Sequence, residues 1–172
     1  MTRASAVGEL IALAGGTIEG RTRLQKSDYF LESRGLGFGF PFVYHYFGPF
    51  SEALALAVED AAALGIISAE LHRSSSGSRH HVFRSGPQAL AIQNQVRASG
   101  PVRKRKEVLD VLSRYDAVAL ELAATADFLS KSGHGADCWQ ETIRRKRAKA
   151  TESRIAKAKA LLQAVETIAA SG

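Results

Sequence analysis

The densest group of side chains with chemical potential in this chain is basic. Five of the six residues over 144–149 carry a positive charge, namely Arg144, Arg145, Lys146, Arg147 and Lys149. At about 100° per residue, six helical positions pass around the helix axis more than once. No single solvated helix face can hold all five charges, so the segment either projects from the body of the protein or meets an anion.

Two further basic groups extend this set. Arg103, Lys104 and Arg105 lie at the start of a predicted helix, where the helix dipole disfavours positive charge. Arginines also begin, end and follow the flexible turn predicted over 73–79, and such residues on a hairpin can contact phosphates or a minor groove: Arg73, Arg79 and Arg84. All eleven residues are candidate nucleic-acid contacts. The alternative for each group is an exposed helix junction or hairpin tip that is polar only because it is solvated.

Other chemistry finds little support in the sequence. The side chains that could bind a metal ion are those of His45, His80, His81, His134 and Cys138. Only His134 and Cys138 have the spacing of metal ligands, and two ligands do not make a zinc site. The chain has no nucleophile elbow, phosphate-binding loop, dinucleotide glycine motif or zinc-protease motif. We therefore expect no catalytic residues, no metal and no cofactor.

Composition and charge limit the compartment and the partners. The chain is 45% apolar and 23% charged, which is typical of a folded domain. No segment approaches the roughly 20 apolar residues that a membrane helix needs, Glu9 interrupts the N-terminal apolar segment, and the single cysteine allows no internal disulfide. We expect a cytoplasmic protein with no membrane association. Residues 1–64 carry a net charge of −2 and residues 65–172 a net charge of +8, an asymmetry that favours a polyanionic partner.

The elements that must position these residues centre on 42–65. Aromatic and β-branched residues over 42–47 predict a strand that Gly48-Pro49 ends. Ser51 is then the expected N-cap of a helix over 52–64, with Gly65 as its stop. That helix has acidic residues and no Lys or Arg, so it would meet phosphates with like charge. If nucleic acid binds, we expect it to contact the three basic groups outside this helix, which we call the basic periphery.

The remaining pattern predicts helices over 4–14, 22–34 and 88–98, a hairpin over 66–71 and 80–84, and two more helices, from about residue 137 and after Thr151. Apolar residues from Val108 to Leu129 recur at intervals of four and three, which predicts one long helix whose apolar seam could pack within the chain or across a homodimer. The order is that of a winged helix-turn-helix. We predict a mainly α fold with a small antiparallel β element: a winged helix-turn-helix-like domain over 1–86, followed by a C-terminal helical extension over 87–172 that packs on it.

Two surface predictions follow from residue type. The helix over 22–34 should be basic, since Arg23, Lys26 and Arg34 lie on it and Arg21 just precedes it. The aromatic set could stack nucleic-acid bases, but its clustering at a strand and its turns favours a place in the core: Phe38, Phe40, Phe42, Tyr44, Tyr46, Phe47 and Phe50.

Three short stretches resemble a known family. The string RTRLQKSDYFLESRG over 21–35 resembles the "LQKLxYxL" helix of the YwgA-like family of small winged-helix-like bacterial and archaeal proteins. The segment over 44–51 resembles its "YxFYGPYS" segment, and residues 64–67 its "LGLI". More loosely, the chain is similar to the Panacea domain of some antitoxins. The first likeness implies a winged-helix-like fold with no known reaction, and the second implies direct contact with a toxin-like partner protein.

These observations lead to two hypotheses. The first is a non-catalytic, regulatory winged-helix-like protein that binds nucleic acid mainly through phosphate contacts. The alternative is an antitoxin-type module that neutralises a partner protein by direct contact and does not touch nucleic acid.

Overall fold

A computed structural model of the chain describes residues 1–87 and 100–171. Its helices are α1 (Arg3–Leu13), α2 (Arg21–Glu32), α3 (Glu52–Ala63), α4 (Gly100–Leu112), α5 (Ala117–Leu129), α6 (Cys138–Arg145) and α7 (Glu152–Ala170). Its strands are β1 (Thr17–Glu19), β2 (Val43–His45), β3 (Gly48–Phe50), β4 (Ile67–Arg73) and β5 (Arg79–Ser85). A π-helical turn (Ser130–His134) and a 3-10 turn (Gly135–Asp137) join α5 to α6. The fold is mainly α with a small antiparallel β element, as predicted, and the helix predicted over 88–98 lies outside the described residues.

The β structure is antiparallel throughout the described chain. Three strands form a sheet in the order β1-β5-β4, and β2 pairs separately with β3. The sequence predicted the β4–β5 hairpin but missed β1. The prediction that Gly48-Pro49 ends the central strand was wrong, because these residues begin the returning strand β3. Gly48 has φ +82°, a left-handed conformation that glycine adopts without steric cost and that permits the tight reversal.

Helix α3 begins and ends as its local residues predict. The Ser51 Oγ accepts a hydrogen bond of 3.2 Å from the Leu54 N–H, which satisfies one of the unpaired donors of the first turn. Gly65 follows the helix with φ +69°. Local capping chemistry therefore fixes both ends of this element.

The predicted long helix over 108–129 is in fact two helices. α4 ends at Leu112, and α5 begins after Asp116, whose Oδ1 accepts a 2.8 Å hydrogen bond from the Ala119 N–H. Arg23 donates to the carbonyl oxygens of Leu112 and Tyr115 at 3.1 and 2.6 Å, so carbonyl groups at and just after the end of α4 have a side-chain partner. The apolar spacing continues in phase across the break, which is why periodicity alone predicted one helix.

One hydrophobic core joins the two halves of the chain. It includes Leu10 of α1, Phe30 of α2, Leu120 of α5 and Leu161 of α7, each fully buried. The seam residues Val108, Leu112, Ala119 and Leu122 also belong to it, whereas Ala126 and Leu129 pack with Cys138 in a second small cluster, so the seam packs within the chain. Residues 1–86 and the described part of 87–172 thus share one core.

The loop that follows α2 closes around a carboxylate. Glu32 Oε1 accepts hydrogen bonds from the backbone N–H groups of Phe38, Gly39 and Phe40 at 2.7, 2.6 and 2.8 Å. Phe40 is buried, as predicted. The alternation of glycine and aromatic residues therefore forms a tight amide pocket with aromatic rings at its sides.

Across residues 1–87 and 100–171, no helix combines the length and the apolar character that crossing a membrane requires.

Candidate functional site

The segment that resembles the "LQK" motif anchors the β2–β3 hairpin. Gln25 Nε2 donates to the Ser51 carbonyl oxygen and Gln25 Oε1 accepts from the Ser51 N–H, both at 2.9 Å. Lys26 Nζ donates to the Pro49 carbonyl oxygen at 2.6 Å, and Lys26 is 1% exposed. These two side chains hold β3 and the start of α3 against α2.

The prediction that α2 presents a basic surface was wrong for most of its cations. Lys26 is buried, Arg23 binds carbonyl oxygens of the α4–α5 connection, and Arg34 lies 2.8 Å from the Asp127 carboxylate. Only Arg21, at the start of the helix, is exposed. Charge alone did not reveal that these residues have partners far away in sequence.

Glu121 of α5 forms ion pairs with two lysines through one buried carboxylate. Lys146 Nζ lies 3.0 Å from Glu121 Oε1, and Lys149 Nζ donates to Oε2 at 2.7 Å. Burial lowers the pKa of Lys26 to about 8, while the charge of Glu121 works against that shift and the charges of Lys146 and Lys149 add to it. One carboxylate therefore pairs with two ammonium groups, and together with Lys26, whose pKa responds to all three charges, the lysine cluster around Glu121 retains an excess of positive charge.

An open cavity of about 840 Å³ lies against this cluster. Tyr44, Tyr46 and Phe47 of the β2–β3 hairpin line one part of it, and residues 144–149 and Glu121 line the rest. Tyr46 is 79% exposed and Phe47 is 51% exposed. The prediction that all the aromatic residues belong to the core was therefore wrong at this tip. We call this feature the aromatic–basic cavity.

Cations lie close to the aromatic rings of the cavity. The Arg145 guanidinium carbon is 4.6 Å from the centre of the Tyr44 ring, and Lys149 Nζ is 5.1 Å from the centre of the Phe47 ring. Such distances are typical of cation–π attraction. Lys146 Nζ also donates to the Tyr46 carbonyl oxygen at 2.6 Å, which fixes the hairpin tip next to the basic segment.

The five cations of residues 144–149 divide into three groups, because α6 ends at Arg145 and the chain then turns. Arg144 and Arg145 both hydrogen-bond Glu141, and these bonds lower the pKa of that carboxyl group to about 2. Lys146 and Lys149 bind Glu121, as described above. Arg147 is exposed and has no hydrogen bond or ion pair to any described residue.

In the basic group over 103–105, one residue makes structural contacts and the other two are at least partly exposed to solvent. Arg105 donates to Glu9 Oε1 at 2.8 Å and to the Leu36 carbonyl oxygen at 2.6 Å, and it lies over the Phe38 ring. Arg103 is exposed, 3.6 Å from Glu107, and Lys104 is partly exposed. None of Arg103, Lys104 and Arg105 lines the aromatic–basic cavity.

The three arginines of the β4–β5 hairpin do not share a face. Arg73 and Arg79 are directly opposite each other near the turn, whereas Arg84 is opposite Ser68 and Thr17. Side chains alternate along a strand, so Arg79 and Arg84, five residues apart, point to opposite faces of the sheet. All three are exposed.

A smaller cavity of about 240 Å³ lies between α3 and the β4–β5 hairpin. Its lining is mostly apolar and includes Leu24, Phe50, Val58 and Phe83. Arg21, Glu59 and His81 supply its charged and polar groups. Burial and the charge of Arg21 lower the pKa of His81, which favours the neutral imidazole.

Within the described residues, no group of three or more His, Cys, Asp and Glu side chains could hold a metal ion. The most perturbed carboxyl group is that of Asp28, which is fully buried and whose two oxygens have no hydrogen-bond partner. Burial raises its pKa to about 8, with Glu32 adding to the shift and Arg105 opposing it. Asp28 is therefore a neutral acid at the pH of most cells, away from either cavity.

Two residues that shape the site, Lys26 and Glu121, were not among the predicted site residues. Glu121 carried a signal in the sequence, since it stands alone in the apolar run Leu120–Ala124, whereas Lys26 lies among polar and charged residues and carried none. An isolated charge in such a run indicates a buried partner of opposite charge or a backbone carbonyl.

Comparison with known proteins gave no match: no protein-family model matches the chain, and no curated protein matches it in sequence.

Proposed function

We propose that the protein is a non-catalytic, regulatory nucleic-acid-binding protein of the cytoplasm, and that it contacts phosphates through the aromatic–basic cavity. The observation that carries the proposal is the unbalanced charge of this cavity. Lys146 and Lys149 share the single carboxylate of Glu121, and Arg147 is exposed beside them without an ion-pair partner among the described residues. An anion entering the cavity would gain contacts with ammonium groups that are already held in place.

The arrangement of the N-terminal elements supports a winged-helix-like assignment for residues 1–86. The elements run α1-β1-α2-β2-β3-α3-β4-β5 with a sheet in the order β1-β5-β4, which agrees with that architecture apart from the β2–β3 hairpin between α2 and α3. In it α3 would be the recognition helix, yet its exposed charged residues are Glu52, Glu59 and Asp60. Like charge would keep α3 out of a major groove. Binding through the basic periphery is consistent with that arrangement.

The test is fluorescence anisotropy of a labelled 20-nucleotide DNA, titrated with protein between 50 and 200 mM salt. We expect affinity to fall steeply with salt, with a slope of about −0.7 to −0.9 per phosphate contacted, and to depend little on sequence. Arg147→Glu should weaken binding about tenfold without a change in thermal stability, because Arg147 has no partner to lose.

The matched control is Arg103→Glu, which reverses an exposed arginine outside the cavity. It should leave the affinity within about threefold of the wild type, because Arg103 does not line the cavity and exposed charges are screened by salt. Absence of binding at 50 mM salt would exclude the proposal. Equal weakening by both variants would exclude the cavity as the site.

A second candidate function, an antitoxin-type protein-binding module, is favoured by the surface around α3. This helix is acidic and carries the exposed Leu56, and it borders the apolar cavity beside the β4–β5 hairpin with its exposed Leu71. Exposed apolar side chains beside a concave apolar site are typical of protein contacts. A partner that co-purifies in stoichiometric amount, is lost with Leu56→Asp and is retained with Arg147→Glu would support this function.

A further inference from the structure

We infer that the aromatic–basic cavity recognises unpaired nucleotides, so that a base of a single strand stacks on Tyr46 while the adjoining phosphates lie against Arg147 and Lys149. The inference rests on the proposed function and specifies its ligand: single-stranded DNA or RNA rather than a duplex.

The first argument is the exposure of the rings at the hairpin tip. Tyr46 is 79% exposed and Phe47 is 51% exposed, although exposed aromatic surface is unfavourable in water. Their ring centres are 4.9 Å apart at an interplanar angle of 84°, so the edge of one ring meets the face of the other and they are not stacked in parallel. A planar base can therefore stack on Tyr46 without first separating the pair.

The second argument is that the rings of Tyr44 and Phe47, which neighbour Tyr46, each already have a cation against them. Tyr44 has the Arg145 guanidinium on it and lies 6.0 Å from the Phe128 ring. Phe47 has Lys149 on it. Tyr46 has neither a cation–π partner nor a second aromatic neighbour among the described residues. The cations thus cover Tyr44 and Phe47 and leave Tyr46 as the open surface.

The third argument is that the tip is held in place. Lys146 Nζ binds the Tyr46 carbonyl oxygen at 2.6 Å, and Lys26 Nζ binds the Pro49 carbonyl oxygen at 2.6 Å. Between them, Gly48 approaches α5 so closely that a Cβ atom there would lie 2.5 Å from the Thr125 Oγ1. These contacts fix the backbone of the tip, so a base can stack on Tyr46 without first ordering the hairpin.

The geometry distinguishes single strands from duplexes. In a duplex the faces of the bases are covered by their neighbours, and only phosphates and groove edges are accessible. Every unpaired base offers a face, so stacking adds to the phosphate contacts without a requirement for sequence. Both strand types meet the cations of the cavity, but only the single strand uses Tyr46.

The experiment compares a labelled 20-nucleotide DNA with the same strand annealed to its complement, at one salt concentration. We expect the single strand to bind about tenfold more tightly. Tyr46→Ala should weaken single-strand binding about tenfold and leave duplex binding unchanged, and Tyr46→Phe should restore the wild-type affinity. Leu56→Ala, which removes an exposed apolar side chain of α3, is the matched control and should change neither affinity.

A direct readout of stacking separates this effect from a general loss of binding. A 2-aminopurine base in the strand should lose fluorescence when it binds the wild-type protein and Tyr46→Phe, and should stay bright when it is saturated with Tyr46→Ala. Melting curves followed by circular dichroism will show whether each variant is folded. A Tyr46→Ala protein that is folded and still quenches the probe would overturn the inference.

The outcomes distinguish this inference from the proposed function. Equal affinity for single strand and duplex, with no effect of Tyr46→Ala, would overturn the inference and leave phosphate-based binding standing. Equal weakening of both strand types by Tyr46→Ala would also overturn it. Absence of any binding at 50 mM salt would exclude both.

Discussion

The Lys146 ammonium lies 3.0 Å from the Glu121 carboxylate, and less than one-tenth of either side chain is exposed. This pair ties the turn after α6 to α5, and Lys146 extends the connection to the β2–β3 hairpin through the Tyr46 carbonyl oxygen. The same contact therefore contributes to the fold and to the shape of the aromatic–basic cavity.

Replacing Glu121 should separate these two contributions. Glu121→Gln leaves Lys146 and Lys149 without their counter-ion, so we expect the free energy of unfolding to fall by about 3 kcal/mol. The affinity for single-stranded DNA should rise, because the cavity loses its one buried anion. Urea denaturation and anisotropy measure the two effects. Glu107→Gln, in an exposed ion pair with Arg103, should change stability by less than about 1 kcal/mol. Weaker DNA binding by a folded Glu121→Gln protein would contradict the prediction.

The buried acid of α2 should make stability depend on pH. The pKa of Asp28 is about 8 in the folded state against an ordinary 3.8, so the native protein retains a proton that the unfolded chain releases. Its contribution to stability is largest below pH 3.8, declines as pH rises, and is absent above about pH 8. We expect the free energy of unfolding to decrease between pH 5.5 and pH 8.5, and Asp28→Asn to flatten this slope. An unchanged slope in a folded Asp28→Asn protein would show that other groups cause it.

The hairpin tip offers a matched pair of glycine substitutions. Gly48 and Gly77 have φ values of +82° and +83°, but a Cβ at Gly48 would lie 2.5 Å from Thr125 Oγ1, whereas nothing lies within 4 Å at Gly77. Each change to alanine should cost about 1 kcal/mol for its backbone conformation. Gly48→Ala should cost a further 1–3 kcal/mol, approximately, for the collision with α5. Equal losses in urea denaturation would show that α5 moves away at no cost.

One of the candidate nucleic-acid contacts should instead prove structural. Arg105→Ala would leave the Glu9 carboxylate buried without its partner and remove the bond to the Leu36 carbonyl oxygen. We expect a loss of about 3 kcal/mol in the free energy of unfolding. Arg103→Ala, two residues earlier and exposed, should stay within about 0.5 kcal/mol of the wild type. Thermal and urea denaturation of the two variants provide the comparison, and equal stability of both would contradict it.

The elements that the sequence predicted correctly are those with local signals at both ends. Ser51 and Gly65 define α3, and Thr151 caps α7 through its bond to the Arg154 N–H. The break between α4 and α5 was missed because the apolar spacing stays in phase across it. The signal was Asp116, a residue type that is favoured as an N-cap.

The candidate site was predicted only in part, because its geometry depends on contacts between distant segments. The sequence indicated the cations of residues 144–149, and the structure adds that two of them converge on Glu121. Lys26 finds its acceptor 23 residues away, at Pro49. Residue type predicted Tyr46 and Phe47 as core residues, but their position at the tip of a two-stranded hairpin places them in solvent.

The Glu32 carboxylate occupies a group of backbone amides that could otherwise bind a phosphate. Consecutive backbone amides that converge on one point are common receptors for phosphate, and the amides of Phe38, Gly39 and Phe40 converge in this way. Here the receptor is filled by an acid of the same chain, so an external phosphate could enter only by displacing the Glu32 carboxylate. Any phosphate that approached this loop would thus compete with a carboxylate of the protein itself.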